Sequence, residues 1–167
     1  TICDAIAEAI SIQLSKVYQQ TFGRILHHNI DKCLLVAGQV KIHLGGGRVT
    51  HPMRLILGDR ASFGVSGKTI SVSDIAIETA RSWIKSNLPN VNPDTHMRYQ
   101  IEMQPTSDEL GAIFEHGPGV LPANDTSAGV GYAPLTPTEQ LVVDVEHYLN
   151  GTRFKRTFPE TGEDVKV

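Results

Sequence analysis

Residues 32–42, KCLLVAGQVKI, followed by Gly45-Gly46-Gly47 and then by residues 53–57, MRLIL, decide the fold class. Both runs are short, apolar and bounded by turn formers, the pattern of strands rather than helices. Ala37-Gly38 interrupts the first run and predicts a bulge or a close backbone approach. The glycine triplet predicts the next turn, with MRLIL as the partner strand. Upstream, Ile2, Ile6, Ile10, Leu14 and Val17 recur three or four positions apart with alanines between them. That spacing predicts an amphipathic helix of about 18 residues, closed by Gly23. Downstream, residues 69–72 alternate like a short strand. Ser71-x-x-Asp74 is a loose capping box before a helical stripe of Ile77, Ala80, Ile84 and Leu88, which Pro89 and Pro93 end. Residues 97–103 predict another strand, and residues 108–115 a helical turn.

His116–Asp125 (HGPGVLPAND) is the predicted domain junction, being dense in Gly and Pro. Beyond it, Thr136-Pro137-Thr138-Glu139 joins a capping Thr, a Pro at the first helical position and a Glu at the third. The helix it opens carries Leu141, Val142, Val145, Tyr148 and Leu149 at core spacing. Helix, paired strands, helix, strand, then strand and helix again argue for an α+β fold whose sheets are covered on one face by helices.

Composition sets the outer limits. The chain has 167 residues, 40% of them hydrophobic and 20% charged, with a net charge of −3. These values predict a globular, cytoplasmic protein with no basic footprint for nucleic acid. No apolar run reaches the ~20 residues that span a bilayer, so no membrane partner is expected. Cys3 and Cys33 form no C-x-x-C pair and are expected to be buried thiols in a reducing compartment. The chain opens at Thr1 directly in a helical pattern. It stops at Val167 in what reads as the start of a strand, as a piece of a larger protein would.

Local motifs for chemistry are sparse. Ser62–Thr69 (SFGVSGKT) has the Gly-Lys-Thr of a phosphate loop, but Ser62 stands where the first glycine belongs and a strand-like run follows, so a glycine-rich hairpin is the expectation. Gly45-Gly46-Gly47-Arg48 predicts a turn, with an anion nest as the alternative. The seven histidines show no metal-ligand spacing, and no metal-binding residues are assigned. Residues 123–139 (ANDTSAGVGYAPLTPTE) are the richest stretch. A carboxylate there can hold a substrate ammonium or hydroxyl while the glycines allow close approach.

The segments Thr1-Ile-Cys-Asp, Phe22-Gly-x-Ile-Leu-His-His-Asn, Gly45-Gly-Gly, Asn124-Asp-Thr-Ser, Gly129-Val-Gly-Tyr-Ala-Pro-Leu and Gly162-Glu-Asp-Val-Lys-Val together resemble the archaeal-type branch of methionine adenosyltransferase (S-adenosylmethionine synthetase). The resemblance implies repeated α/β units with antiparallel or mixed sheets. Residues 1–118 would be the first repeat, lacking its N-terminal edge, and residues 119–167 the beginning of a second. It implies a homodimer with ATP and methionine as substrates, assisted by Mg²⁺ and K⁺ held mainly by residues outside this chain. Residue by residue, Asp125 matches the acid that pairs with the methionine ammonium, beside Asn124. Asp164 matches an acid near the nucleoside, and Lys166 a phosphate-binding lysine. Gln39 stands where relatives carry a glutamate or histidine for the methionine amine. Ser107 is what remains, with one acidic residue, of a glycine-rich phosphate segment that here reads QPTSDE over residues 104–109.

Three departures bear on activity. The family's Gly-His-Pro-Asp belongs just before Thr1, and its second half follows Val167. Pro105 removes a donor N–H from the phosphate segment. The 167 residues are therefore expected to be inactive alone, and the alternative expectation is a non-catalytic, transferase-like binding or dimerisation module.

Overall fold

The computed structural model describes residues 2–106, 131–162 and 165–167. The chain divides into two compact units, Thr1–Leu121 and Pro122–Val167. The predicted turn at residues 108–115 and the junction at residues 116–125 lie outside the described residues.

In the first unit, helix α1 spans Ile2–Phe22, and Gly23 closes it with a φ of +73° and an amide bonded to the Gln19 carbonyl at 3.0 Å. Strands β1 (His28–Val36), β4 (Met53–Ala61) and β7 (Met97–Pro105) form one mixed sheet in the order β1-β4-β7, antiparallel between β1 and β4 and parallel between β4 and β7. Helix α2 (Val72–Asn87) is the crossover that the parallel pair requires. Leu55, Leu57 and Ala61 of β4 and Met97 and Met103 of β7 alternate onto one face. There they meet Ile6, Ile10, Leu14 and Tyr18 of α1 and Val72, Ala76, Ala80 and Ile84 of α2 in one core. Each fully buried aliphatic side chain contributes about 1.5–3 kcal/mol. The α1 stripe therefore runs on to Tyr18, and the expected Val17 is only half-buried. On α2, Ala80 and Ile84 are buried as expected and Val72 and Ala76 join them, whereas Ile77 and, just past the helix, Leu88 are half-buried. Cys3 and Cys33 are half-buried rather than fully buried as composition predicted.

The stretch 32–57 departs from its expected layout. MRLIL does pair with the KCLLV run, as β4 with β1, but a separate hairpin lies between them: β2 (Gln39–His43) and β3 (Gly46–His51), turned at Gly45 with a φ of +81°. The sequence reading missed β3 because its residues, GGRVTH, lack a long apolar run. Ala37-Gly38 is the break between β1 and β2 rather than a bulge. A Cβ at Gly38 would collide with the His51 carbonyl oxygen, so the expected close approach is present. The bulge falls earlier, where Ile30 and Asp31 oppose the single residue Asp59. Residues 69–72 are not a strand of their own: Lys68–Thr69 (β6) pairs with Gly64–Val65 (β5), and Val72 already begins α2. Ser71 Oγ donates to the Asp74 carboxylate at 2.5 Å instead of capping a backbone amide.

In the second unit, helix α3 spans Pro137–Asn150 and α4 spans Thr152–Thr157, followed by a 3₁₀ turn at Pro159–Thr161. The capping box is complete: the Glu139 amide donates to Thr136 Oγ1 at 3.3 Å, and the Thr136 amide donates to Glu139 Oε2 at 2.8 Å. The expected core stripe of α3 is not buried, with Leu141 62% and Tyr148 64% exposed. Among the described residues of this unit no strand offers it a covering face. The expected strand at residues 162–167 is likewise absent among the described residues there.

Candidate functional site

The carboxyl ends of the parallel strands β4 and β7 meet the start of β1, and a set of polar groups locks the three together. The Ser62 amide and hydroxyl both donate to the His27 carbonyl, at 3.0 and 2.9 Å. The Thr106 amide donates to the Ala61 carbonyl at 3.2 Å, and His27 Nδ1 lies 3.2 Å from Thr106 Oγ1. Tyr18, fully buried, donates its hydroxyl to the Ser62 carbonyl at 2.7 Å, and burial pushes the phenol up to about 12. His28 Nδ1 sits 2.9 Å from the Leu26 carbonyl and Nε2 3.0 Å from Ser11 Oγ. A carbonyl only accepts, so Nδ1 carries a proton and donates to Leu26. Burial, then the neighbouring His28, holds His27 below its ordinary range. His27 thus fixes Thr106, the residue before Ser107 at the exit of β7, while His28 ties α1 to the segment ahead of β1.

Gln39 opens β2 and is exposed. Its carbonyl accepts from Thr50 Oγ1 at 3.1 Å, and the close approach at Gly38 fixes the backbone before it. A primary amide can accept one hydrogen bond from an ammonium there but supplies no charge.

In the second unit Lys166 is exposed, its Nζ 3.3 Å from Glu146 Oε1. The residue before it is clamped by a side chain that sequence reasoning passed over. Asn150, the last residue of α3, accepts from the Val165 amide at 2.9 Å and donates to the Val165 carbonyl at 2.8 Å. This amide does for Val165 what a neighbouring strand would have done, which is why the segment needs no sheet there. The signal was a single Asn just before Gly151, equally readable as an ordinary helix end. Asp125, Asn124, Ser107 and Asp164 lie outside the described residues, and Gln39 and Lys166 fall in different units.

Two other motifs resolve into turns. Lys68 lies on β6 opposite Val65, with Ser66 and Gly67 in the left-handed region at φ of 51° and 79°. No helix begins at Lys68, so the phosphate-loop geometry is missing. Gly45, with Leu44, makes the β2–β3 turn, and Gly46 and Gly47 are already paired in β3. Among the described residues there is no group of three or more His, Cys, Asp or Glu side chains that could hold a metal ion. No described helix is long and apolar enough to cross a membrane.

These features define an α+β chain whose mixed sheet is covered by two helices and whose polar groups gather at the carboxyl ends of a parallel strand pair. Residues 1–167 match the family described as S-adenosylmethionine synthetase (AdoMet synthetase), and the chain belongs to that family. It is 45% identical over 170 residues to a probable S-adenosylmethionine synthase of Aquifex aeolicus, covering 100% of this chain and 42% of that protein. It is 43% identical over 173 residues to an S-adenosylmethionine synthase of Caldivirga maquilingensis, covering 99% of this chain and 42% of the relative. An S-adenosylmethionine synthase of Pyrobaculum neutrophilum is 45% identical over 171 residues, with 99% and 42% covered. The chain thus spans about two-fifths of the length of the curated relatives it matches.

Proposed function

We propose that a longer protein carrying this sequence is a cytoplasmic methionine adenosyltransferase acting as a homodimer. The supporting observation is the family match over the whole chain, with relatives named S-adenosylmethionine synthase at 45% and 43% identity. In this reaction the methionine sulfur attacks C5′ of ATP and tripolyphosphate leaves, then is cleaved to pyrophosphate and phosphate. The nucleophile belongs to the substrate, so the protein's part is positioning and charge stabilisation. Asp125, beside Asn124, pairs with the methionine ammonium. Gln39 accepts one of its hydrogen bonds, and Asp164 lies against the nucleoside. Lys166 and Ser107 hold phosphate oxygens, Lys166 leaving Glu146 to do so. Bound Mg²⁺, with K⁺, would neutralise the polyphosphate. The two units correspond to a first α/β repeat and the beginning of a second.

Lys166→Ala in the longer protein is expected to lower kcat/KM for ATP by about 100-fold or more, the scale of a lost phosphate contact. Asp125→Asn is expected to act chiefly on KM for methionine. Unchanged kinetics in either variant would remove that assignment. The second reading, a non-catalytic binding or dimerisation module, is favoured by the uncharged Gln39 and by Pro105 at the end of β7. Stable self-association without ATP or methionine binding would select it.

A further inference from the structure

The point where the chain leaves β7 is held by side chains from two other parts of the first unit. On one flank Arg60 of β4 donates from Nη1 to the Pro105 carbonyl at 3.0 Å. On the other flank stands His27, the residue before β1. Its Nδ1 lies 3.2 Å from Thr106 Oγ1, across 79 positions of sequence. Ser62 Oγ donates its one proton to the His27 carbonyl at 2.9 Å, so toward Thr106 Oγ1, 3.5 Å away, it can only accept. Of these two partners of the Thr106 hydroxyl, the ring nitrogen is the nearer. Pro105 carries no amide, so the next backbone donor is Thr106 itself, which bonds the Ala61 carbonyl at 3.2 Å. His27 is fixed in turn. Its carbonyl also accepts the Ser62 amide at 3.0 Å, and the Ser62 carbonyl accepts from the buried Tyr18 at 2.7 Å. The ring is half-buried, and burial with the neighbouring His28 keeps it uncharged at neutral pH. The contact with Thr106 is therefore a neutral hydrogen bond, of the kind a side-chain amide can replace.

We infer that His27 is a positioning residue for the phosphate end of the site: through Thr106 it fixes the point at which the chain leaves β7 for Ser107. This role rests on the transferase reading, which gives Ser107 the phosphate oxygens. His27 acts through Thr106 rather than on substrate. A segment anchored at one end has less freedom to lose when phosphate binds, so the bond favours ATP. Methionine, assigned to Asp125 and Gln39, is left aside.

The test uses a longer protein carrying this sequence, with steady-state kinetics and calorimetric binding of inorganic tripolyphosphate. His27→Ala is expected to raise KM for ATP and weaken tripolyphosphate binding about 5- to 10-fold, the scale of one neutral hydrogen bond, with KM for methionine unmoved. Asparagine places its amide nitrogen where imidazole has Nδ1, and glutamine reaches instead to the position of Nε2. His27→Asn should therefore regain most of the affinity, and His27→Gln should not. Thr106→Val, which removes the hydroxyl at nearly constant volume, should match His27→Ala, and the double variant should be no worse than either. An unchanged KM for ATP, equal losses for ATP and methionine, rescue by Gln as well as Asn, or additive losses in the double variant would overturn the role. A parent that makes S-adenosylmethionine with kinetics indifferent to His27 sinks the positioning role and keeps the transferase reading. A parent that binds tripolyphosphate in a His27-dependent way yet makes no S-adenosylmethionine does the reverse. Should His27→Ala misfold by circular dichroism, Thr106→Val removes the same bond from the other side and decides.

Discussion

Helices α1 and α3 carry the same kind of message and meet different fates. Both are amphipathic and well bounded, α1 by Gly23 and α3 by a complete capping box. Yet Ile6, Ile10 and Leu14 of α1 are fully buried, whereas no residue of α3 is. The first unit offers α1 a sheet face lined by Leu55, Leu57 and Met97. Among the described residues of the second, α3 meets the neighbouring α4, where the rings of Tyr148 and Phe154 lie tilted with centroids 5.3 Å apart, and bonds residues 165 and 166 through Asn150 and Glu146. An apolar stripe states what a helix needs, not whether the same stretch of chain supplies it. In the first unit stability rests on packing; in the second it rests on caps and local hydrogen bonds.

That contrast can be broken by mutation. Leu14→Ala is expected to cost about 2–5 kcal/mol in denaturant unfolding, because it leaves a cavity between helix and sheet. Tyr18→Phe deletes the bond to the Ser62 carbonyl and should cost about 1–2 kcal/mol. It should also change the alkaline limb. The buried phenol rises from the ordinary 10.0 to about 12, so folding favours its neutral form. That stabilisation is complete below pH 10 and is lost as the pH climbs through 12, a loss the Phe variant should not show. Thr136→Ala removes the cap and should loosen α3 by about 1 kcal/mol, read as faster amide exchange confined to that helix. Leu141→Ala, on the exposed stripe, should stay within about 0.5 kcal/mol of the parent. A cost like that of Leu14→Ala would mean that α3 is covered after all.

A smaller effect sharpens the picture of the first unit. At the β1 bulge Asp59 holds a φ of +102°, and its Oδ2 is buried without a hydrogen-bond partner among the described residues. Desolvation, then Asp31, raises the Asp59 carboxyl, while bonds to Asp59 and to Lys32 lower Asp31. Asp59→Asn keeps a residue tolerant of that φ and removes a charge that folding disfavours. The variant should be slightly more stable at neutral pH. The gain should vanish as the pH falls below the raised Asp59 value, where the native carboxyl is protonated anyway. Parallel urea titrations at the two pH values measure it.

Periodicity made α1, α2 and α3 legible, and turn residues made the β1–β4 pairing legible, because those signals are local. Strand β3 was not, since GGRVTH owes its strand to pairing with β2 rather than to its own apolar content. On α2 Ala80 and Ile84 were legible, but the choice between Ala76 and Ile77 was not, because both are apolar and only the sheet decides which faces inward. At the candidate site, Gln39 and Lys166 came from resemblance, which names residues without their supports. The Asn150 clamp on Val165 and the His27–Ser62–Thr106 set depend on chain segments that meet only on folding.

The most direct measurement is product analysis of a longer protein carrying this sequence, incubated with ATP, methionine and Mg²⁺. The predicted result is S-adenosylmethionine formed with equal amounts of pyrophosphate and phosphate, sharply reduced by Lys166→Ala. A folded, dimeric protein that binds both substrates and yields no S-adenosylmethionine would contradict the transferase reading.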